Sequence, residues 1–271
     1  MPINVRDGTS DGLDAGINPD WPAPPHVHAM VATQRGAGPA VDHESLREAL
    51  ALPSEPCWLR QVHGTCAVTF ERPHTALRAW RFAPPPPQAG EGARREEGGD
   101  TAKEHPNEPE ADASVTRMPG VVLAIKTADC LPVLFCADNG SEIAAAHAGW
   151  RGLSAGVLEN TLGVMQAPRE NIFAWLGPAI AARSYEVGDE VRDAFLAHDT
   201  AAASAFTITR PGHWLCDLYA LARQRLQRAG VTRIFGGDLD TFTDPRLHSY
   251  RRDGAHSGRM VSLVWILPAS I

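Results

Sequence analysis

No apolar run in this 271-residue chain approaches the roughly 18 residues that a membrane-spanning helix needs. The longest candidate, residues 261–267, is of strand length, so no membrane partner is expected. A secretory leader is not expected either. Residues 1–25 carry acidic residues, glycines and prolines where a leader would need a basic start followed by an apolar stretch, and the expected compartment is the cytoplasm. Cysteine is sparse: Cys57, Cys66, Cys130, Cys136 and Cys216 are five, an odd number without regular spacing. That argues against a disulfide framework and leaves at least one thiol free. Positive charge is outnumbered too, 25 Lys and Arg against 32 Asp and Glu for a formal net charge of -7. A phosphate-backbone binder would need a clustered basic face, so nucleic acid is not an expected partner.

What remains is the composition of an ordinary soluble globular protein, with 44% hydrophobic and 21% charged residues. Residues 1–25 show neither helical nor strand periodicity and are expected to be a disordered tail, with a single domain over 26–271. The His26-Val27-His28 pair at their junction is an H-x-H pattern that more often does nothing than bind a metal. Residues 81–110 open on Pro84 to Pro87 and continue almost without apolar side chains, so they are expected to be a disordered insertion. Only some 55 residues separate tail from insertion, too few for an independent core, so the parts on either side should belong to one domain.

Within that domain the pattern predicts a short helix at 42–51 capped by Asp42, and a strand pair at 57–70 bent at Gly64. Buried strands are predicted at 121–128, 132–137 and 142–147, with further strands at 171–176, 231–235 and 260–267. Apolar residues recurring every three or four positions predict helices at 150–166, stopped by Pro168, and at 214–229, followed by Gly230. Strands mixed with helices throughout indicate a layered α+β or mixed α/β fold.

Three short segments put metal-capable side chains at predicted strand ends: Gln61-Val62-His63-Gly64, Thr127-Ala128-Asp129-Cys130-Leu131-Pro132 and Ala146-His147-Ala148-Gly149-Trp150-Arg151-Gly152. Two imidazoles and a thiolate suit Zn²⁺, and three protein ligands leave open the fourth tetrahedral position that distinguishes a catalytic zinc site. Spacing alone does not join them, because no C-x-x-C or H-E-x-x-H pattern is present.

The runs from Thr127 to Leu134 and from Ala145 to Gly152 resemble the signature of the polyphenol oxidase or laccase-domain family. Gln61 to Gly64, Gly177-Pro178, Tyr185 to Gly188, Ser249 to Asp253 and Gly258-Arg259 extend the resemblance, in order, over most of residues 57–267. Members of that family are regarded as zinc-dependent purine nucleoside phosphorylases and adenosine deaminases, and some relatives are linked to peptidoglycan editing. The resemblance implies a single domain, a layered sandwich of mixed β-sheets flanked by helices. It implies one catalytic zinc on His63, Cys130 and His147, with adenosine, inosine, guanosine, methylthioadenosine and phosphate as partners of a monomer or homodimer. Arg35, Asp129, Arg151 and Arg251 are the candidates for substrate or phosphate contact.

Copper is not expected. A multicopper oxidase needs several H-x-H pairs, and only His26-Val27-His28 has that form. One departure from the family bears on phosphate. Thr33-Gln34-Arg35-Gly36-Ala37 puts Gln34 where the family has arginine, with Arg35 one position on, and residues 38–44 replace a Ser-Leu-Asn-Leu-Gly stretch. Losing a bidentate guanidinium would weaken phosphorolysis and leave a nucleoside-binding protein. A Cys130 nucleophile with an imidazole base, giving a cell-wall amidase, is the other alternative.

Overall fold

The computed structural model describes residues 13–34, 43–72, 75–80 and 108–268. From the N-terminus come β1 (Leu13–Ile17), β2 (Val27–Gln34), α1 (His43–Ala49), β3 (Pro56–Cys57), β4 (Ala67–Arg72) and β5 (Thr75–Trp80). Next are β6 (Ala113–Thr116), β7 (Val122–Thr127), β8 (Leu131–Ala137), β9 (Ile143–Ala148), α2 (Trp150–Ala155), α3 (Val157–Val164) and β10 (Ile172–Leu176). The C-terminal third holds β11 (Glu186–Gly188), α4 (Asp189–Leu196), β12 (Phe206–Arg210), β13 (His213–Cys216), α5 (Leu218–Arg228), β14 (Arg233–Gly236), α6 (Tyr250–Asp253) and β15 (Met260–Ile266).

The strands form a five-stranded sheet in the order β1-β2-β15-β7-β3, a seven-stranded sheet β14-β10-β8-β9-β6-β4-β5 and a small sheet β11-β13-β12. Both large sheets are mixed: β3 runs parallel to β7, β14 to β10 and β4 to β6, among otherwise antiparallel pairs.

The apolar runs are continuous because both faces of the large sheets are covered. Along β7, Val122 and Ala124 pack with Leu46 of α1, whereas Leu123 and Ile125 face the other sheet. Along β8, Leu134 and Cys136 meet that same inter-sheet core, and Leu131, Val133 and Phe135 point to the helices. Strand alternation thus stacks four layers, namely α1, the five-stranded sheet, the seven-stranded sheet and the helices led by α3 and α5. This is the expected single-domain sandwich of mixed sheets flanked by helices. Among the described residues no helix is long and apolar enough to cross a membrane.

Several local expectations differ. The stretch read as a tail contains β1, which pairs with β2, and Trp175 Nε1 donates to Asp20 Oδ1 at 3.1 Å; residues 1–12 lie outside the described residues. His28 sits on β2 and stacks on Trp265 at 5.5 Å between ring centroids, remote from any H-x-H ligand role. Asp42 and residues 81–107 also lie outside the described residues, but β4 and β6, on either side of the expected insertion, are paired neighbours. The 150–166 helix is broken at Gly156, whose φ of 103° only glycine adopts readily. The 214–229 helix starts later, at Leu218, because Asp217 caps it by accepting from Ala220 N at 2.9 Å; Trp214 belongs to β13. Finally, the 57–70 strand pair is split between the two large sheets.

Candidate metal centre

Twice the chain crosses from the five-stranded to the seven-stranded sheet at one end of the sandwich, between β3 and β4 and between β7 and β8. The first crossing carries His63 and the second Cys130. Gln61 pins the first crossing to β7: its amide donates to Lys126 O and accepts from Lys126 N, both at 2.8 Å, as a strand neighbour would. His147 comes from β9, where it lies opposite Pro132 of β8. Two non-glycine residues here have left-handed backbones, His63 with φ 59° and Asp129 with φ 83°. Such residues cluster where the surrounding structure imposes a geometry that function requires.

The ligand-capable atoms of His63, Cys130 and His147 lie within 4.8 Å of one another. His63 Nε2 is 3.8 Å from Cys130 Sγ, and the two imidazoles meet edge to face with centroids 4.7 Å apart. Tetrahedral ligands with bonds of about 2.0 Å to nitrogen and 2.3 Å to sulfur are about 3.5 Å apart, so a small contraction would seat an ion. Exposure rises from buried His147 through half-buried Cys130 to exposed His63, which gives the group a floor and an open side. Gly149 makes the room: a β-carbon there would stand 2.9 Å from His63 Cδ2 and 3.0 Å from Cys130 Sγ.

Asp112, fully buried just before β6, organises this group. Its carboxylate accepts the backbone N–H groups of Val62 (3.2 Å), His63 (2.9 Å) and Gly64 (2.7 Å). It also lies 2.9 Å from His147 Nδ1, while its carbonyl accepts from His147 N at 2.7 Å. An imidazole held through Nδ1 by a carboxylate presents Nε2 as ligand, the usual outer-shell arrangement of metal-binding histidine.

The charges follow. Burial alone would push the Cys130 thiol up, but His147 and His63 outweigh it and bring it down to about 6. Burial likewise opposes charge on His147, where Cys130 and Asp112 prevail and raise it to about 9. Asp112 is held below the usual carboxylate range, burial notwithstanding, by His147 and the N–H groups of Gly64 and Val62. Without metal the pair is therefore a thiolate beside an imidazolium. In metal-stripped protein, alkylation of Cys130 by iodoacetamide should hold its rate as pH falls and decline only below about 6. A rate already dropping in proportion to hydroxide below about pH 8, as for an ordinary thiol, would refute the pairing.

Asp129 does not orient an imidazole; Asp112 does. The Asp129 carboxylate accepts from Thr241 Oγ1 and from Arg251 N, both at 2.6 Å, and its carbonyl accepts from Ile180 N at 3.0 Å. It therefore stitches the Cys130 crossing to α6. The Arg251 guanidinium donates to Glu186 O at 3.1 Å and lies 5.2 Å from the Tyr185 ring centroid. Arg151 is exposed, with its guanidinium 4.4 Å from the Trp150 ring. Arg35 lies outside the described residues, and Gln34 ends β2. Sequence reasoning missed Asp112. Its one signal was a lone carboxylate between Ala111 and Ala113 where the chain turns apolar.

The family model described as multi-copper polyphenol oxidoreductase laccase matches residues 40–267. A Xylella fastidiosa protein named purine nucleoside phosphorylase is 42% identical, over 91% of this chain and 95% of that protein. The Escherichia coli protein named purine nucleoside phosphorylase YfiH is also 42% identical, over 93% and 98%. The crystal structure of Neisseria meningitidis protein NMB0706 superposes with a TM-score of 0.74 at 37% identity, covering 93% of this chain and 99% of that one. With most of its length matched and its sandwich shared, the chain belongs to the multi-copper polyphenol oxidoreductase laccase family.

Proposed function

We propose that this protein is a zinc-dependent purine nucleoside phosphorylase that uses adenosine, inosine, guanosine and methylthioadenosine and also deaminates adenosine. The observation that carries the reading is the convergence of His63, Cys130 and His147 around a space left by Gly149, open on the His63 side. The names of relatives about 42% identical supply the reaction class. Two imidazoles and a thiolate are borderline-soft donors suited to zinc, and a bound divalent ion would supply a Lewis acid that holds and orients a phosphate or water oxygen.

In phosphorolysis a phosphate oxygen bonds to ribose C1′ while the C1′–N9 bond breaks, its electron pair leaving with the purine, which then takes a proton. For this step Asp112 fixes His147, Asp129 fixes the Cys130 crossing, and Arg151 and Arg251 supply positive charge for the phosphate. The purine would lie between the His63 crossing and Trp150. The expected result with zinc-loaded protein, adenosine and inorganic phosphate is adenine plus ribose 1-phosphate, with inosine reporting deamination. Absence of any conversion, with zinc bound stoichiometrically, removes the reading.

One observation favours a second reading. The depressed Cys130 thiol beside two imidazoles is also the arrangement of a cysteine nucleophile, which would suit an amidase. Metal analysis separates the two, because activity abolished by chelation and restored by zinc excludes a free-thiol mechanism.

A further inference from the structure

Arg252 follows Arg251 on α6, and every N–H of its guanidinium is spent inside the protein. Its Nη1 donates to Thr241 O at 3.0 Å, Phe242 O at 3.2 Å and Asp244 O at 3.3 Å. Its Nη2 donates to Leu247 O at 2.8 Å and to Asp253 Oδ2 at 2.7 Å, and its Nε donates to Asp253 Oδ1 at 2.9 Å. No donor is left over for a phosphate or a nucleoside, so this arginine serves the chain itself.

What it holds is a segment that has little else to hold it. Residues 237–249 run from β14 to α6 without helix or strand, apart from one bridge of Asp240 to Ala179. Carbonyls in such a segment have no ladder of partners, and Arg252 supplies donors to four of them. The same segment carries Thr241, whose Oγ1 donates to Asp129 Oδ1 at 2.6 Å. The other carboxylate oxygen, Oδ2, accepts from Arg251 N, also at 2.6 Å. These two donors come from either side of residues 242–250, and Arg252 ties the sides together by bonding to Thr241 O. The bonds close a ring from Asp129 to Thr241, across to Arg252, and back through Arg251 to Asp129. Asp129 needs such a hold, because its φ of 83° is left-handed and persists in a non-glycine residue only where the surroundings enforce it. Cys130 is the next residue.

We propose that Arg252 is a positioning residue of the metal centre: by locking Thr241 to Arg251 it makes the two donors grip Asp129 as one unit, and so sets where Cys130 Sγ meets the ion. This assignment rests on the reading of His63, Cys130 and His147 as metal ligands, and not on the reaction or its substrate. Lysine keeps the charge, but its single ammonium cannot span the carbonyls from Thr241 to Leu247.

Full-length Arg252→Lys, Thr241→Val and the combined variant are compared with the parent by chelator competition for zinc and by amide hydrogen exchange. Each single substitution should raise the zinc Kd about tenfold. The combined variant should bind little worse than the poorer single one, because both remove the same grip; independent losses would multiply to about a hundredfold. In the metal-free proteins, Arg251 N–H should exchange about tenfold faster in Arg252→Lys, with the amides of β7 and β8 unchanged. Asp253→Asn, which frees one edge of the guanidinium, is the milder variant should Arg252→Lys fail to fold, and it should shift both readouts in the same direction by less. A zinc Kd within about twofold of the parent in the folded variant of Arg252 or Asp253, or losses that multiply in the combined variant, overturns the assignment. If the parent itself binds no zinc, the metal reading falls; faster exchange of Arg251 N–H then still supports the hold of Arg252 on Asp129, and unchanged exchange overturns it.

Discussion

Asp112→Asn is expected to weaken zinc binding by about ten- to a hundredfold while the protein remains folded. The carboxylate serves three backbone N–H groups of the His63 crossing and one imidazole nitrogen, all of them donors. An amide of the same shape keeps one acceptor oxygen but must turn an NH₂ group toward at least one of those donors. Either His147 loses the partner that aims its Nε2, or the His63 crossing loses an anchor, and both displace a ligand. Asp112→Ala goes further. It leaves a cluster of donors with no acceptor in the protein interior, and the loss in unfolding free energy should be about 3–5 kcal/mol. Competition titration with a zinc chelator measures the first effect and denaturant unfolding the second. Unchanged zinc affinity in the asparagine variant would mean that the carboxylate acts only on the fold.

The second large effect is expected from a single methyl group. At Gly149 a β-carbon would lie 2.9 Å from His63 Cδ2, 3.0 Å from Cys130 Sγ and 3.6 Å from His147 Nε2, in contact with all three candidate ligand side chains. The backbone there has φ −62° and ψ 159°, which alanine adopts without strain. Compared as metal-free proteins, Gly149→Ala and its parent should therefore have closely similar melting temperatures, the reduced freedom of the unfolded chain offsetting the shift of the exposed His63 ring. Displacing ligands by even about 1 Å should lower kcat/KM roughly a hundredfold and leave the purified protein substoichiometric in zinc. Full zinc occupancy with undiminished kcat/KM would show that the cluster reaches the ion from another side.

These two residues also mark what the sequence conveys. Among the strands read correctly are those buried on both faces, β7, β8, β9, β10 and β15, whose continuous apolar runs mark them. His63, Cys130 and His147 were legible as a set because the short motifs that carry them at strand ends resemble the family signature; spacing alone did not join them. Asp112 was not: it lies 49 residues from His63 and 35 from His147, and nothing local announces which chain segments its carboxylate will meet. The hairpin of β12 and β13 was lost for a related reason. Trp214, Leu218, Leu221 and Leu226 fit a helical spacing, and only the cap at Asp217 shows that the helix starts after Cys216.

Two of the three candidate ligands ride on the segments that pass from one sheet to the other, so a bound cation would act as a buckle across the seam of the sandwich. Whatever free energy the ion gains on binding becomes resistance to prying the two sheets apart, about 2.7 kcal/mol when free zinc is a hundred times its dissociation constant. Metal supply would then govern how long the folded protein persists as well as how fast it works.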